Sequence, residues 1–288
     1  MSESSIDLTT IYLLVLLAAV MHATWNAIVK SGGDKLVVQA LVIFSHAPFV
    51  ALALPFLPVP PWESFGFIAA STAIHSIYYW ALINAYKLGD LSQVYPIARG
   101  SAPLLVAVGG FLLVGESLSP LEMVGLFILS IGLISLAWRF GDPLAGDRRP
   151  VYLALLTGLT IGGYSLVDGM GGRSAETAIS YIAWLFALEH FPLTLYALHR
   201  RKWKLSAFRP YWKRGLFGGI ISGLAYGIVI WAMSVAPMAH VVALRETSVV
   251  IAAGIGALLL GEGFGPRRMA AALLVAVGAV LLRVAGSL

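Results

Sequence analysis

Cysteine is absent from the chain, which excludes disulfides, thiolate nucleophiles and Cys-based metal sites and leaves the redox compartment open. Charge is scarce as well. Only 11% of the 288 residues are Asp, Glu, Lys or Arg, against about a quarter in soluble domains. With 59% hydrophobic residues and a mean hydropathy of +0.87, a soluble globular domain is excluded and an integral membrane protein is implied. There is no H-E-x-x-H, no G-x-S-x-G, no P-loop and no His/Asp/Glu group at metal-ligand spacing, so no enzyme chemistry, metal or cofactor is expected. The excess of 19 Lys and Arg over 14 Asp and Glu lies in loops beside apolar runs, where it reads as membrane orientation and not as nucleic-acid contact. Residues 1–7 are acidic and no small-residue cleavage site follows Val20, so the first apolar run is not expected to be a cleavable signal.

What the chain does have is a series of apolar runs, each long enough to cross ~30 Å of hydrocarbon. About ten spans are predicted, near 8–29, 36–57, 65–85, 94–114, 121–138, 151–170, 178–198, 216–235, 241–260 and 269–284. Gly- and Pro-bearing breaks separate them. Numbering the spans puts Lys30, Lys35, Lys87, Arg139, Arg148, Arg149, the basic stretch 200–214, Arg267 and Arg268 on one side, and only Arg173 and Arg283 on the other. By the positive-inside rule the first side is cytoplasmic and both termini lie outside.

One segment recurs. GDLSQVYPIARGSAPLLVAVGGFLLVGESLSP, residues 89–120, aligns without gaps with APMAHVVALRETSVVIAAGIGALLLGEGFGP, residues 236–266, setting Arg99 on Arg245, Ser101 on Thr247, Gly115-Glu116 on Gly261-Glu262 and Pro120 on Pro266. Two related halves follow, a five-span repeat over 1–140 and another over 150–288. Each holds an odd number of spans, so the second enters the membrane from the opposite side. The predicted fold is an all-α membrane protein of two five-helix inverted repeats, the arrangement that in secondary transporters puts the substrate site between the repeats.

Arg99 and Arg245 sit deep within apolar runs, where a charge costs at least ~2.5 kcal/mol and must face a cavity, a partner or a ligand. His22, Trp25, Asn26 and Lys30 follow at helical spacing on the first span; this inward stripe is either an interhelical seam or a site lining, with Lys30 snorkelling at the cytoplasmic end. His75 and Tyr79 share a stripe on the third span with Tyr78 beside it, either belt anchors or cavity lining. Tyr95 and Pro96 precede Arg99 and Pro103 follows it, which frees carbonyls that lipid does not tolerate. Tyr164 and Asp168 share a face of the sixth span; Asp168 is a candidate proton carrier, or a structural ion pair with Arg173. Tyr226 and Trp231 repeat the aromatic stripe on the eighth span. Glu246 follows Arg245 immediately; it is not expected to share its helix face, but it can still reduce the local charge. Glu189 and His190 read either as bundle interior or as a local thinning of the bilayer. Together these residues describe a polar cavity, roughly balanced in charge, that suits an anionic or zwitterionic solute clamped by guanidinium groups, with Asp168 or Glu246 as candidate proton groups. Two other readings stand beside it: export of aromatic or cationic compounds with the arginines structural, and a non-transporting sensor or scaffold that contacts a partner through 200–214. The partners foreseen are a small-molecule substrate, the lipid bilayer and protons as coupling ion, with no nucleic acid.

HATWNAIVK in the first span, YKLGDLSQVYPIARGSAPLLVAVGGFLLVGE across the third and fourth, and residues 244–250 followed by Leu260-Gly261-Glu262 in the second half resemble the EamA-like branch of the drug/metabolite transporter superfamily. YSLVDGMGGR, residues 164–173, is similar to a subgroup often described as associated with phosphonate use. The resemblance implies an inner-membrane secondary transporter, commonly an exporter of metabolites, amino acids or toxic compounds, working by alternating access without ATP. Arg99 stands where the broader family pattern has a neutral residue, which argues against carrying over any one substrate.

Overall fold

A computed structural model of the chain describes residues 7–30, 33–88, 91–137, 147–252, 254 and 265–286. Among them every regular element is helical. The helices are α1 (Leu8–Lys30), α2 (Lys35–Phe44), α3 (His46–Ala53), α4 (Trp62–Leu88), α5 (Leu91–Val114), α6 (Pro120–Ser135), α7 (Arg149–Ser174), α8 (Ala178–Leu188), α9 (His190–Arg200), α10 (Trp212–Val235), α11 (Met238–Glu246) and α12 (Pro266–Ala285). Helix resumes over 248–252. Among the described residues seven segments are long and apolar enough to cross a membrane, α2 with α3 and α8 with α9 each counting as one. α6, at 16 residues, is shorter, and α4 has the length at 27 residues but carries Ser71, His75, Tyr78 and Tyr79 along it. Most of the second half of the predicted 241–260 span, with Gly261 and Glu262, lies outside the described residues, as does Trp138 at the end of the fifth.

Three predicted spans are not single helices. α2 stops at Phe44 and α8 at Leu188, each four residues before a proline, Pro48 and Pro192. A proline ring clashes with the carbonyl four residues back and offers it no N–H, so the breaks at Ser45 and Glu189 have an identifiable cause. The third break follows Glu246, where Thr247 turns its Oγ1 back to the Leu244 carbonyl at 2.6 Å. Such back-bonding competes with the helical ladder and bends it.

The ends are built from local chemistry. Asp34 caps α2, accepting from the Val37 N–H, while its other oxygen accepts from Arg201 Nε at 2.8 Å and so ties the start of α2 to the end of α9. Ser119 and Glu122 form a capping box at α6, with Pro120 in the first turn. Gly115 ends α5 at φ +75, a left-handed conformation that a side chain would strain.

α1 packs along α10, α4 along α7, α6 along α12, and α5 lies between α6, α7 and α11. At the α6–α12 crossing, a Cβ on Gly278 would meet the Gly125 carbonyl oxygen at 2.6 Å, so two glycines permit this close approach. The main core draws Tyr12 and Val15 from α1, Tyr181 and Leu185 from α8, Ile230 and Met233 from α10 and Met238 from α11. Outward faces carry Leu13, Leu17, Phe49, Phe111, Leu112, Leu113, Phe127 and Leu273, all more than a third exposed. An apolar exterior of this extent is what a lipid-facing surface requires.

Candidate functional site

Arg99 projects from the middle of α5, between Pro96 and Pro103. Pro103 offers no N–H to the Arg99 carbonyl, a loss that α6, α7 and α11 cover with protein. Arg245 and Glu246 form the last turn of α11. All three side chains converge. Arg99 Nη1 donates to Glu246 Oε1 at 3.0 Å and to Oε2 at 2.8 Å, while Arg245 Nε and Nη2 donate to Oε1 at 3.0 and 2.8 Å. Both arginines are 2% exposed and Glu246 is fully buried. Glu246 and Arg245 leave α11 on different faces and are nevertheless hydrogen-bonded. Their Cβ atoms leave the helix about 100° apart, but the long guanidinium fork reaches around the end of α11 to the carboxylate.

Two guanidinium groups against one carboxylate leave an excess of one positive charge. Arg99 Nε is buried without a hydrogen-bond partner. Arg99 also donates to Tyr95 Oη at 3.2 Å, lies over the Tyr95 ring at 5.2 Å, and meets His22 Nε2 through Nη2. The other ring nitrogen of His22 faces the Trp25 indole N–H at 3.2 Å. A neutral imidazole accepts at one nitrogen only, so one of these two contacts alone is a full hydrogen bond. Asn26, the third member of the stripe, turns its amide to the His22 carbonyl at 2.8 Å and serves its own helix.

Next to the arginines is an aromatic cluster. Tyr164 from α7 lies under Arg245 at 5.9 Å and stacks on His75 from α4, centroids 4.0 Å apart. Tyr78 and Tyr226 meet Tyr164 edge-on at 5.8 and 5.9 Å, and Tyr79 packs on Tyr78 at 5.1 Å. Asp168, fully buried, accepts hydrogen bonds from Tyr181 at 2.9 Å and from Tyr226. Its predicted alternative partner, Arg173, is engaged elsewhere. Arg173 pairs with Glu116 at 2.5 Å and donates to the Met233 and Ala236 carbonyls. Trp231 packs against the main core, and the structure does not bring it to the cluster. Glu246, a candidate proton group from sequence, is instead the shared acceptor of the two arginines.

Three further polar assemblies were not anticipated. Glu116 receives the Arg173 pair through Oε1 and, through Oε2, the Met238 N–H at the start of α11. His46 hydrogen-bonds with Ser222 and faces Glu189 at 3.9 Å. His240 joins Tyr12 to Glu122. A signal for the second existed: His-x-Pro occurs at His46-Ala47-Pro48 and again at His190-Phe191-Pro192, in the second and seventh predicted spans. Among the described residues no group of His, Asp and Glu has the arrangement of a metal site.

The EamA-like transporter family matches residues 148–284. Uncharacterized protein PA1977 of Pseudomonas aeruginosa is 30% identical over 252 residues, 86% of this chain and 84% of that protein. A solved crystal structure superposes with a TM-score of 0.70 over 95% of this chain and 96% of the other, at 17% identity, a likeness of fold. Apolar helices with a lipid-type exterior make this a multi-pass membrane protein, and the matches make it a member of the EamA-like transporter family within the drug/metabolite transporter superfamily.

Proposed function

We propose that the protein is a secondary transporter of a small anionic or zwitterionic organic metabolite, such as an amino acid or a phosphonate-like compound. It works by alternating access in the cytoplasmic membrane, with both termini outside. The observation that carries this is the Arg99–Glu246–Arg245 cluster, which holds one uncompensated positive charge and a free Arg99 N–H against an aromatic wall. A substrate carboxylate or phosphonate supplies the missing charge and accepts the free donor, and the rings of Tyr95, Tyr164 and His75 pack its remainder. His22 and Trp25 bound the site on α1. Two five-helix inverted repeats, divided between 1–140 and 150–288, are supported by exchange of the helix contacts. α1 of the first half runs along α10 of the second, and α7 of the second along α4 of the first, as a two-fold relation between halves requires. In that arrangement Arg99 and Arg245 come from equivalent helices and meet at the interface of the halves.

The aromatic cluster around the buried Asp168 favours a second reading, export of aromatic cations. Flux assays separate the two. In liposomes containing only this protein, uptake of labelled L-glutamate or 2-aminoethylphosphonate is expected. Unlabelled competitors of the same class should block it, and tetraphenylphosphonium should not. Arg99→Ala and Arg245→Ala are expected to abolish this uptake while folded protein remains in the membrane, and lysine at either position to restore it only in part. Full activity of both alanine variants ends the clamp, and flux of tetraphenylphosphonium alone replaces the reading with the second.

A further inference from the structure

The two proline-broken spans meet at their elbows. His46 opens α3 and Glu189 follows α8, with His46 Nδ1 at 3.9 Å from Glu189 Oε1 and both side chains 7% exposed. The other intramembrane carboxylates among the described residues are engaged differently. Glu246 is clasped by two guanidinium groups and Asp168 by two tyrosine hydroxyls, whereas Glu189 faces an imidazole.

Glu189 faces the Nδ1 side of that imidazole. When Ser222 Oγ gives its hydrogen to the Gly219 carbonyl, it accepts from His46 Nε2, 2.9 Å away. In that arrangement Nε2 carries the hydrogen and Nδ1 presents a lone pair. A lone pair facing a carboxylate is two acceptors with no hydrogen between them. A single added proton turns that opposition into a hydrogen bond.

A second feature marks the same place. His46 Nδ1, Trp184 Nε1, His190 Nδ1 and Thr194 Oγ1 are buried without hydrogen-bond partners; three of them lie on α8 and α9, and the His46 ring packs on Phe186 of α8. Buried polar atoms are nearly always satisfied by protein or water, so their accumulation here points to exchangeable partners. Pro48 and Pro192 leave the Phe44 and Leu188 carbonyls without their usual donors. An open, mainly apolar groove runs beside the elbow between α4 and α9, with Leu188, Pro192, Thr72 and Ser76 in its wall. The titratable groups that surround Glu189 are His46 from α3, Tyr79 from α4, Asp168 from α7, and Tyr181 and His190 from its own helix pair; α10 contributes the uncharged Ser222 through His46.

We propose that Glu189 and His46 form the proton-binding site of the transport cycle, an inference that rests on the transporter reading above. Glu189 takes up one proton and becomes a neutral acid whose O–H donates to His46 Nδ1, drawing the two elbows together. Release restores the carboxylate and lets them part. Protonated and deprotonated forms thereby favour different positions of the broken spans, which is what coupling to alternating access needs.

The test reads the proton directly. Infrared difference spectra of the purified protein in lipid, acid minus alkaline, are expected to contain a buried carboxylic C=O band that Glu189→Gln removes. Asp168→Asn leaves that component in place, Glu189→Asp retains one at a shifted frequency, and His46→Phe shifts its pH midpoint. In liposomes, a pH gradient is expected to drive uptake of the anionic probe in wild type and in Glu189→Asp. In Glu189→Gln this driven uptake falls to the level of empty liposomes, while exchange of the same probe at equal pH persists. An unchanged spectrum in Glu189→Gln overturns the proposal, as does gradient-driven uptake in that variant or uptake driven by sodium at constant pH. The failures are separable: a wild-type protein that shows the band but moves no probe refutes the transport reading, and one that moves the probe without the band refutes the proton site alone.

Discussion

Glu246 is one carboxylate shared by two arginines, so removing different members of the cluster has unequal consequences. Arg99→Ala leaves Arg245 and Glu246 as a neutral pair. Glu246→Gln leaves two buried guanidinium groups facing each other with no counter-charge, and breaking a buried pair in this way costs about 3–5 kcal/mol. Thermal melts of the purified protein are expected to place Glu246→Gln well below Arg99→Ala; equal losses contradict this charge accounting. The presence of the two arginines at membrane depth was legible in sequence because no other arrangement of a charge in an apolar run is cheap. Their common partner was not. Adjacent residues diverge on an ideal helix, and only the end of α11 at Glu246 lets neighbouring side chains converge. Asp168 is fully buried, and its tyrosine partners come from two other helices, α8 and α10.

The repeated G-E-x-x-x-P motif explains itself at the level of elements. Gly115 ends α5 in a left-handed conformation, Pro120 opens α6, and Glu116 between them reaches the first N–H of α11 and the Arg173 guanidinium at the end of α7. Loss of Glu116 removes a helix cap and an ion pair together, each worth on the order of 1 kcal/mol. A double-mutant cycle of Glu116→Ala and Arg173→Ala is expected to give a coupling of roughly 0.5–3 kcal/mol, with faster hydrogen exchange at the Met238 amide in Glu116→Ala. Additive losses refute the latch. Sequence periodicity located the spans because apolar length is a local property. It missed the elbows at Ser45 and Glu189, although the prolines that cause them are in plain view, because a proline inside an apolar run is compatible with either a kink or an interruption. α5 keeps its helix through Pro96 and Pro103, whereas α2 and α8 stop.

For the whole molecule, α1 packs along α10 and α7 along α4, as the proposed inverted repeats require, and the loop charges carry the proposal that both termini lie outside. The absence of cysteine makes this orientation testable. Glu176 and Lys204 are exposed positions at opposite ends of the bundle. A single cysteine at 176 is expected to react with a membrane-impermeant maleimide in intact cells, and one at 204 only after the membrane is opened. The reverse pattern inverts the orientation.

By itself the sequence determined that the chain lives in a membrane, that a segment carrying a buried arginine occurs twice, and which family it resembles, since hydropathy, charge and repetition are carried by residues close together in the chain. Only the tertiary structure decided that the two arginines share Glu246, that Asp168 belongs to tyrosines and not to Arg173, and that Glu189 faces His46 across two broken helices. Those are contacts between different helices, from 13 to 147 positions apart, or at the end of one helix, and their energies depend on desolvation and distance, which exist only once the helices have packed.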